Sequence, residues 1–288
     1  MRGRIVATVA VLGLGLGLAA VGCGDEVRDD LVRSGTPPVS PYAGPLDLPF
    51  RESADGSERE AEESSGAAGR ALECDGEIYS GGGGDGWTEG EGGSTPEEGL
   101  NAFFDMQQPE LPDRGYRIES EQAGRVLFSY DVGGRTKVAV VVAKDQPHRP
   151  GWGPETNAAC DPAELPASYT DAKSLEIWTD RAGDRVPTTV LSSYPGAEHC
   201  DWESAHFLGV GGIRDGRQYA RDPRGVLGTD LLTAPYDGDV RMPADARDTG
   251  YRLDGRELWL SDDRATAYVR TADAVEAWPR TKDWVACR

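Results

Sequence analysis

The larger, C-terminal part of this chain reads as one formula written twice, and a duplicated sequence folds by giving both copies the same local structure. Cys74-Asp75-Gly76-Glu77 returns as Cys200-Asp201-Trp202-Glu203, with glycines after each, Gly81 to Gly84 in one and Gly209, Gly211 and Gly212 in the other. Proline-initiated helix signals follow, Thr95-Pro96-Glu97-Glu98 and then Asp222-Pro223-Arg224. Leu111-Pro112 leads to Gly115-Tyr116-Arg117 as Met242-Pro243 leads to Gly250-Tyr251-Arg252. Gly124-Arg125 matches Gly255-Arg256, and the copies close on Cys160 and Cys287. The expected division is a repeat over 71–160, a connecting hairpin segment over 161–199 and a second repeat over 200–288.

Local chemistry fills in each copy. Thr95 is a good N-cap, Pro96 suits the first helical position and Glu98 completes a capping box. Leu100, Phe103 and Phe104 then share one helical face. Val126 to Tyr130 has strand propensity, and Asp131-Val132-Gly133-Gly134 turns the chain into Thr136 to Ala143. That second strand is apolar on both faces and should lie centrally, covered on each side. In the second copy Asp222 and Pro223 start a helix carrying Leu227 and Leu231. Leu253-Asp254-Gly255-Arg256 marks a tight hairpin between strands. Leu175 to Thr179 and Val186 to Ser192 read as a further hairpin around Ala182-Gly183-Asp184. The expected fold is α+β: two helix-plus-antiparallel-meander repeats packed together, each closed by a disulfide.

The amino terminus carries a different message. Met1-Arg2-Gly3-Arg4 is a short basic start, and Ile5 to Gly22 follows without a charge. This is the pattern of a signal peptide over 1–22. Ala20-Val21-Gly22-Cys23 resembles a bacterial lipobox, which implies cleavage before Cys23 and a lipid on its thiol. Residues 23–70 read as an acidic, Pro-rich disordered tether with too little apolar surface to offset ordering entropy. A coil of that length would reach roughly 35–40 Å from a membrane.

Charge and cysteine content narrow the classes. The net charge is −20 with no basic stripe, the reverse of what releases counterions from a phosphate backbone, so nucleic acid is excluded as a partner. Anionic lipid would repel the chain too, leaving Cys23 as the means of attachment. With Cys23 set aside, four cysteines allow three pairings in an oxidising compartment. The duplication selects Cys74–Cys160 and Cys200–Cys287. Metal ligation by these cysteines is the weaker reading, since no CxxC-type spacing occurs, and no cofactor is expected.

Candidate binding residues are few. The tract Gly81-Gly82-Gly83-Gly84-Asp85-Gly86-Trp87 lacks the Lys-Ser/Thr ending of a phosphate loop and is acidic, so it reads as a loop with Trp87 free to stack on a sugar or seat in a partner. His199-Cys200-Asp201-Trp202-Glu203-Ser204-Ala205-His206 is the densest cluster of ligand-type residues, giving His199, Asp201, Glu203 and His206 as candidates. No Gly-x-Ser-x-Gly, Ser-x-x-Lys or His-Glu-x-x-His occurs, so no catalytic residue is assigned. Seven tryptophans suggest carbohydrate stacking, but Trp178, Trp202, Trp259 and Trp278 fall in predicted elements where core packing is the default.

Gly151-Trp152-Gly153 to Ala159-Cys160-Asp161-Pro162, Glu198 to Trp202, and Asp248 to Trp259 resemble a family of uncharacterised exported lipoproteins of actinobacteria. The resemblance covers roughly residues 72–288. It implies export and a shared fold, and brings no activity or site residues with it. The function expected is therefore a non-enzymatic binding or interaction module, lipid-anchored on the extracytoplasmic face of the cell membrane. Its expected partner is an envelope protein or a wall polymer, held in a groove between the copies. Two alternatives stand beside it: an extracytoplasmic hydrolase using His199 or His206, and a structural or assembly factor of the envelope.

Overall fold

The computed structural model describes residues 28, 30–34, 40–51, 62–83, 92–106, 111–211 and 216–286. The segment 1–22 read as a signal peptide, Cys23, Trp87 and Cys287 lie outside the described residues. Strand outweighs helix, 40% to 14%, and the strands form three antiparallel sheets.

The first sheet joins β1 (Ile78–Gly83), β2 (Arg117–Gln122), β3 (Arg125–Val132), β4 (Arg135–Gln146) and β5 (Arg149–Cys160) in the order β1-β5-β4-β3-β2. Val138 to Ala143 on β4 are all buried, which a strand achieves only when both faces are covered. Val138, Val140 and Val142 point with Val126 and Phe128 against Leu100, Phe103 and Phe104 of one helix, Pro96–Asp105. Ala139, Val141, Leu127 and Ala158 face another, α1 (Gly66–Ala71), together with Leu46. The Pro96–Asp105 helix, α2, is capped by Thr95, whose Oγ1 accepts from Glu98 N at 3.2 Å. Glu98 in turn accepts from the Ser94 hydroxyl at 2.7 Å, one residue earlier than a capping box requires.

Part of the segment read as a tether is therefore packed. Leu31 and Leu46 are buried, and so are Ala67, Ala68 and Ala71. The signal in the sequence was faint because α1 seals its face with alanine and glycine: a side chain at Gly69 would lie 2.4 Å from the Glu62 carbonyl. Close approach replaces bulk.

The rest of the chain overturns the second repeat. β6 (Leu191–Pro195), β7 (His206–Val210) and β8 (Arg217–Arg221) form a three-stranded sheet. β9 (Arg247–Leu253), β10 (Arg256–Leu260), β11 (Thr266–Arg270) and β12 (Val275–Pro279) form a four-stranded meander. The two share one core, in which Leu191, Leu208 and Tyr219 meet Leu258, Ala267, Val269 and Trp278 around Trp178. The other face of the small sheet is covered by Leu227, Leu232, Trp202 and Val285.

No helix starts at Asp222-Pro223. The Asp222 carboxylate accepts from Val226 N and Leu227 N, both at 2.9 Å, closing a turn, and Gly225 takes a left-handed φ of +68° that ends any helical run. The α+β expectation of two helix-plus-meander repeats is thus contradicted. Landmarks aligned in sequence fall on unlike elements: Cys74 precedes an edge strand of the first sheet, whereas Cys200 ends a 3-10 turn before β7. The expected hairpin at 175–192 holds only at its tip. Thr179 bridges Arg185, and Val186 N donates to the Trp178 carbonyl at 2.8 Å, around a turn held by Asp180. Further out the two arms part: Thr179 also joins β9 at Arg252, and Leu191 to Pro195 pair with β7.

Cys74 and Cys160 are bonded to each other, 86 residues apart. Cys200 is disulfide-bonded as well. Immediately after Cys160, the buried Asp161 fastens the first sheet to the second unit. Its carboxylate accepts from Ala163 N (2.8 Å), Thr188 N (3.0 Å), Thr188 Oγ1 (2.9 Å) and Thr189 N (3.2 Å), so every lone pair of a buried charge is used. Among the described residues no helix is long and apolar enough to cross a membrane.

Candidate functional site

A cleft of about 660 Å³ opens beside the β9–β10 hairpin, lined wholly by residues that follow Cys160. One wall is the short helix α3 (Ala167–Ala172) and the chain leaving it, with Asp171, Glu176 and Thr179. The other is the β9–β10 hairpin, with Arg252 and Asp254, and Arg185 closes the cleft. Arg185 is fixed by the Leu165 carbonyl and by Thr170 Oγ1 at 2.8 Å. Arg252 makes a two-pronged contact with Asp248 at 2.9 and 3.0 Å. The Arg252 guanidinium, with help from the Gly250 amide and Arg181, holds the Asp248 carboxyl well below its ordinary range against a smaller burial effect.

Glu176 links this cleft to the core. Burial pushes its pKa up, but bonds from His206, Ser193 and Arg256 outweigh that and bring it down to about 2. His206 Nε2 stands 2.9 Å from Glu176 Oε2 and 3.0 Å from Ser193 Oγ, and the Ser193 hydroxyl bonds the same carboxylate oxygen. Arg256 Nη2 donates to Oε1 at 2.8 Å and lies 5.7 Å above the Trp178 ring. The His206 ring meets Trp278 edge-on at 5.8 Å.

Serine, histidine and glutamate together suggest a nucleophile, but the geometry opposes it. A triad needs the serine on one imidazole nitrogen and the carboxylate on the other. Here both partners crowd Nε2. Facing a carboxylate, that nitrogen must carry the proton, so it cannot take one from Ser193, whose hydroxyl already donates to Glu176. The cluster is a clamp across β6, β7, β10 and the 174–179 segment. Because the Glu176 pKa is lowered on folding, its contribution to stability is complete above about pH 4.5 and drains as the pH falls towards 2. The expected result is a melting temperature that drops over this interval in the wild type and with a shallower slope in Glu176→Gln, followed by circular dichroism at fixed pH values.

The other residues singled out in sequence do not assemble here. His199 is exposed on the 3-10 turn Glu198–Cys200, Asp201 follows it with φ +58°, and Asp201 and Glu203 are exposed. Of that cluster only His206 reaches the clamp. Cys74, Cys160 and Glu164 approach within metal-ligating distance of one another, but both sulfurs are consumed by their disulfide. Asp75, the acidic residue after Cys74, pairs with Arg135 and Lys137. Those two bonds, Arg135 first, lower its pKa to about 2. Glu176, Ser193 and Arg256 escaped sequence reading because they come together only where the 174–179 segment meets β10 and the small sheet, with Glu176 and Arg256 80 residues apart.

No protein-family model, no curated protein and no solved structure matches this chain.

Proposed function

We propose that the protein is a lipid-anchored envelope protein that presents a non-enzymatic binding module on the extracytoplasmic side of the membrane. Attachment through Cys23 rests on the lipobox-like Ala20-Val21-Gly22-Cys23, and export on the resemblance to actinobacterial lipoproteins. The observation that carries the binding reading is the cleft beside the β9–β10 hairpin, whose arginines are already fixed by protein partners. A preorganised polar cleft favours ligand capture without further ordering cost. The ligand expected is a component of the envelope.

A thermal-shift screen of small polar metabolites, sugars and wall fragments tests this. A ligand at a hundred times its dissociation constant adds about 2.7 kcal/mol, a rise of roughly 5–10 °C for a domain of this size. Asp171→Lys, at the exposed lip of the cleft, is expected to abolish that rise. A flat screen would count against the cleft.

A hydrolase is the second reading, favoured by the meeting of Ser193, His206 and Glu176. It predicts covalent labelling of Ser193 by a fluorophosphonate and loss of labelling in His206→Ala. The shared Nε2 favours the opposite outcome, an unlabelled protein by intact mass.

A further inference from the structure

The four-stranded sheet turns one face inward, carrying Leu258, Ala267, Val269 and Trp278 into the core. The alternation of a strand puts the intervening residues on the outer face. Two rows cross that face from strand to strand. In one, Asp248 on β9 stands opposite Trp259 on β10, Trp259 opposite Tyr268 on β11, and Tyr268 opposite Ala277 on β12. In the next, Arg252 stands opposite Glu257 and Glu257 opposite Arg270. Trp259 and Tyr268 belong to no hydrophobic cluster of the described residues. The expectation that Trp259 packs in the core is therefore wrong, whereas Trp178 and Trp278 are core residues.

We propose that this face is a glycan-binding platform on which Trp259 and Tyr268 stack the rings of a neutral sugar chain laid across the strands. The inference rests on the binding-module reading and adds its ligand class. A pyranose ring has a C–H face suited to an aromatic surface and a rim of hydroxyls that need donors and acceptors. The aromatic row supplies the first and the charged row the second. Trp259 Nε1 donates to Glu257 Oε2 at 3.3 Å, and Arg252 and Arg270 each stand 3.6 Å from the same carboxylate. That network holds the indole and leaves guanidinium and carboxylate edges beside it.

The apolar strip is only one side chain wide between charged or polar neighbours, too narrow for the desolvated centre of a protein–protein contact. Its charges also decide the kind of glycan. Asp248 and Glu257 are matched by Arg181, Arg252 and Arg270, so the face is nearly neutral on a chain of net charge −20. A polyanion would meet repulsion from the remainder of the surface and no compensating cationic patch.

Native affinity electrophoresis of the full chain through gels containing a galactomannan, a β-glucan or an α-glucan is the test, with an acidic polysaccharide as charge control. At least one neutral glycan is expected to retard the protein. Trp259→Ala and Tyr268→Ala should each weaken retardation about tenfold or more, while Trp259→Phe keeps part of it. Tyr79→Ala, which removes an exposed aromatic of the first sheet, should change nothing. Melting temperatures establish that each variant is folded, and Tyr268→Ala carries the comparison if Trp259→Ala is not. Retardation that survives both substitutions overturns the platform. So does the absence of retardation by every neutral glycan. If the thermal-shift screen still yields a cleft ligand, the platform alone has failed; if it is flat too, the binding reading fails with it.

Discussion

Replacing Cys74 and Cys160 together with alanine will lower the melting temperature by on the order of 10 °C. The bond closes a loop of 86 residues, and its removal returns about 4–5 kcal/mol of chain entropy to the unfolded state. The geometry around it makes the loss fall on one place. The disulfide holds Glu73 to Gly76 over Lys137, whose side chain is only 4% exposed. Lys137 Nζ donates to the Glu73 carbonyl at 2.8 Å, to Asp75 at 3.0 Å and to Glu164. Glu164 accepts in turn from Asp75 N at 2.8 Å and Gly76 N at 3.1 Å. Scanning calorimetry of the double variant against the wild type, both without reducing agent so that the bond at Cys200 is kept, should show the lowered transition. A shift below about 2 °C would mean that the loop contributes little.

The second large effect is expected at Lys137 itself. Lys137→Ala strands the Glu164 carboxylate, itself 11% exposed, beside a cavity without its cation. Breaking one side of a buried pair costs about 3–5 kcal/mol. Lys137→Met with Glu164→Leu removes both charges and fills the space, and should recover most of the loss, since an apolar pair of similar volume is often no worse than the ion pair. Urea denaturation of the single and double variants gives the comparison directly. Equal loss in the two would place the cost in the Lys137 bonds to the Glu73 carbonyl and to Asp75, which both variants lack, and not in the stranded charge.

What could be read in the sequence follows from how local each signal is. The Thr95-Pro96-Glu97-Glu98 start and the valine run to Ala143 are decided by residues within one turn or one strand, and both carry through to α2 and β4. The Cys74–Cys160 bond also stands, although the duplication used to select it does not extend to a second helix-plus-meander unit. The glycine-arginine landmarks mark tight turns, at Gly124 and Gly255 with φ of +77° and +76°. Any antiparallel meander needs such turns, so their recurrence reports turn chemistry and not a repeated architecture. Asp222 failed as a helix start because a carboxylate that caps a helix caps a turn equally well. The Glu176 clamp and the outward side of Trp259 were beyond local reading, since both depend on which strands pair and which face the core takes.

The position of the Cys74–Cys160 bond has a mechanical meaning. All five strands of the first sheet lie between these two cysteines. Tension applied between the N-terminal region and the second unit would first peel the segment before Cys74, packed through Leu31, Leu46 and α1, off the sheet. Once it reached Cys74 the load would jump across the sulfurs to Cys160 and pass directly into Asp161, leaving the five strands beside the load path as an unsheared side loop. The next non-covalent structure to give way would be the Asp161 grip on Thr188 and Thr189, a release point between the five-stranded sheet and the second unit.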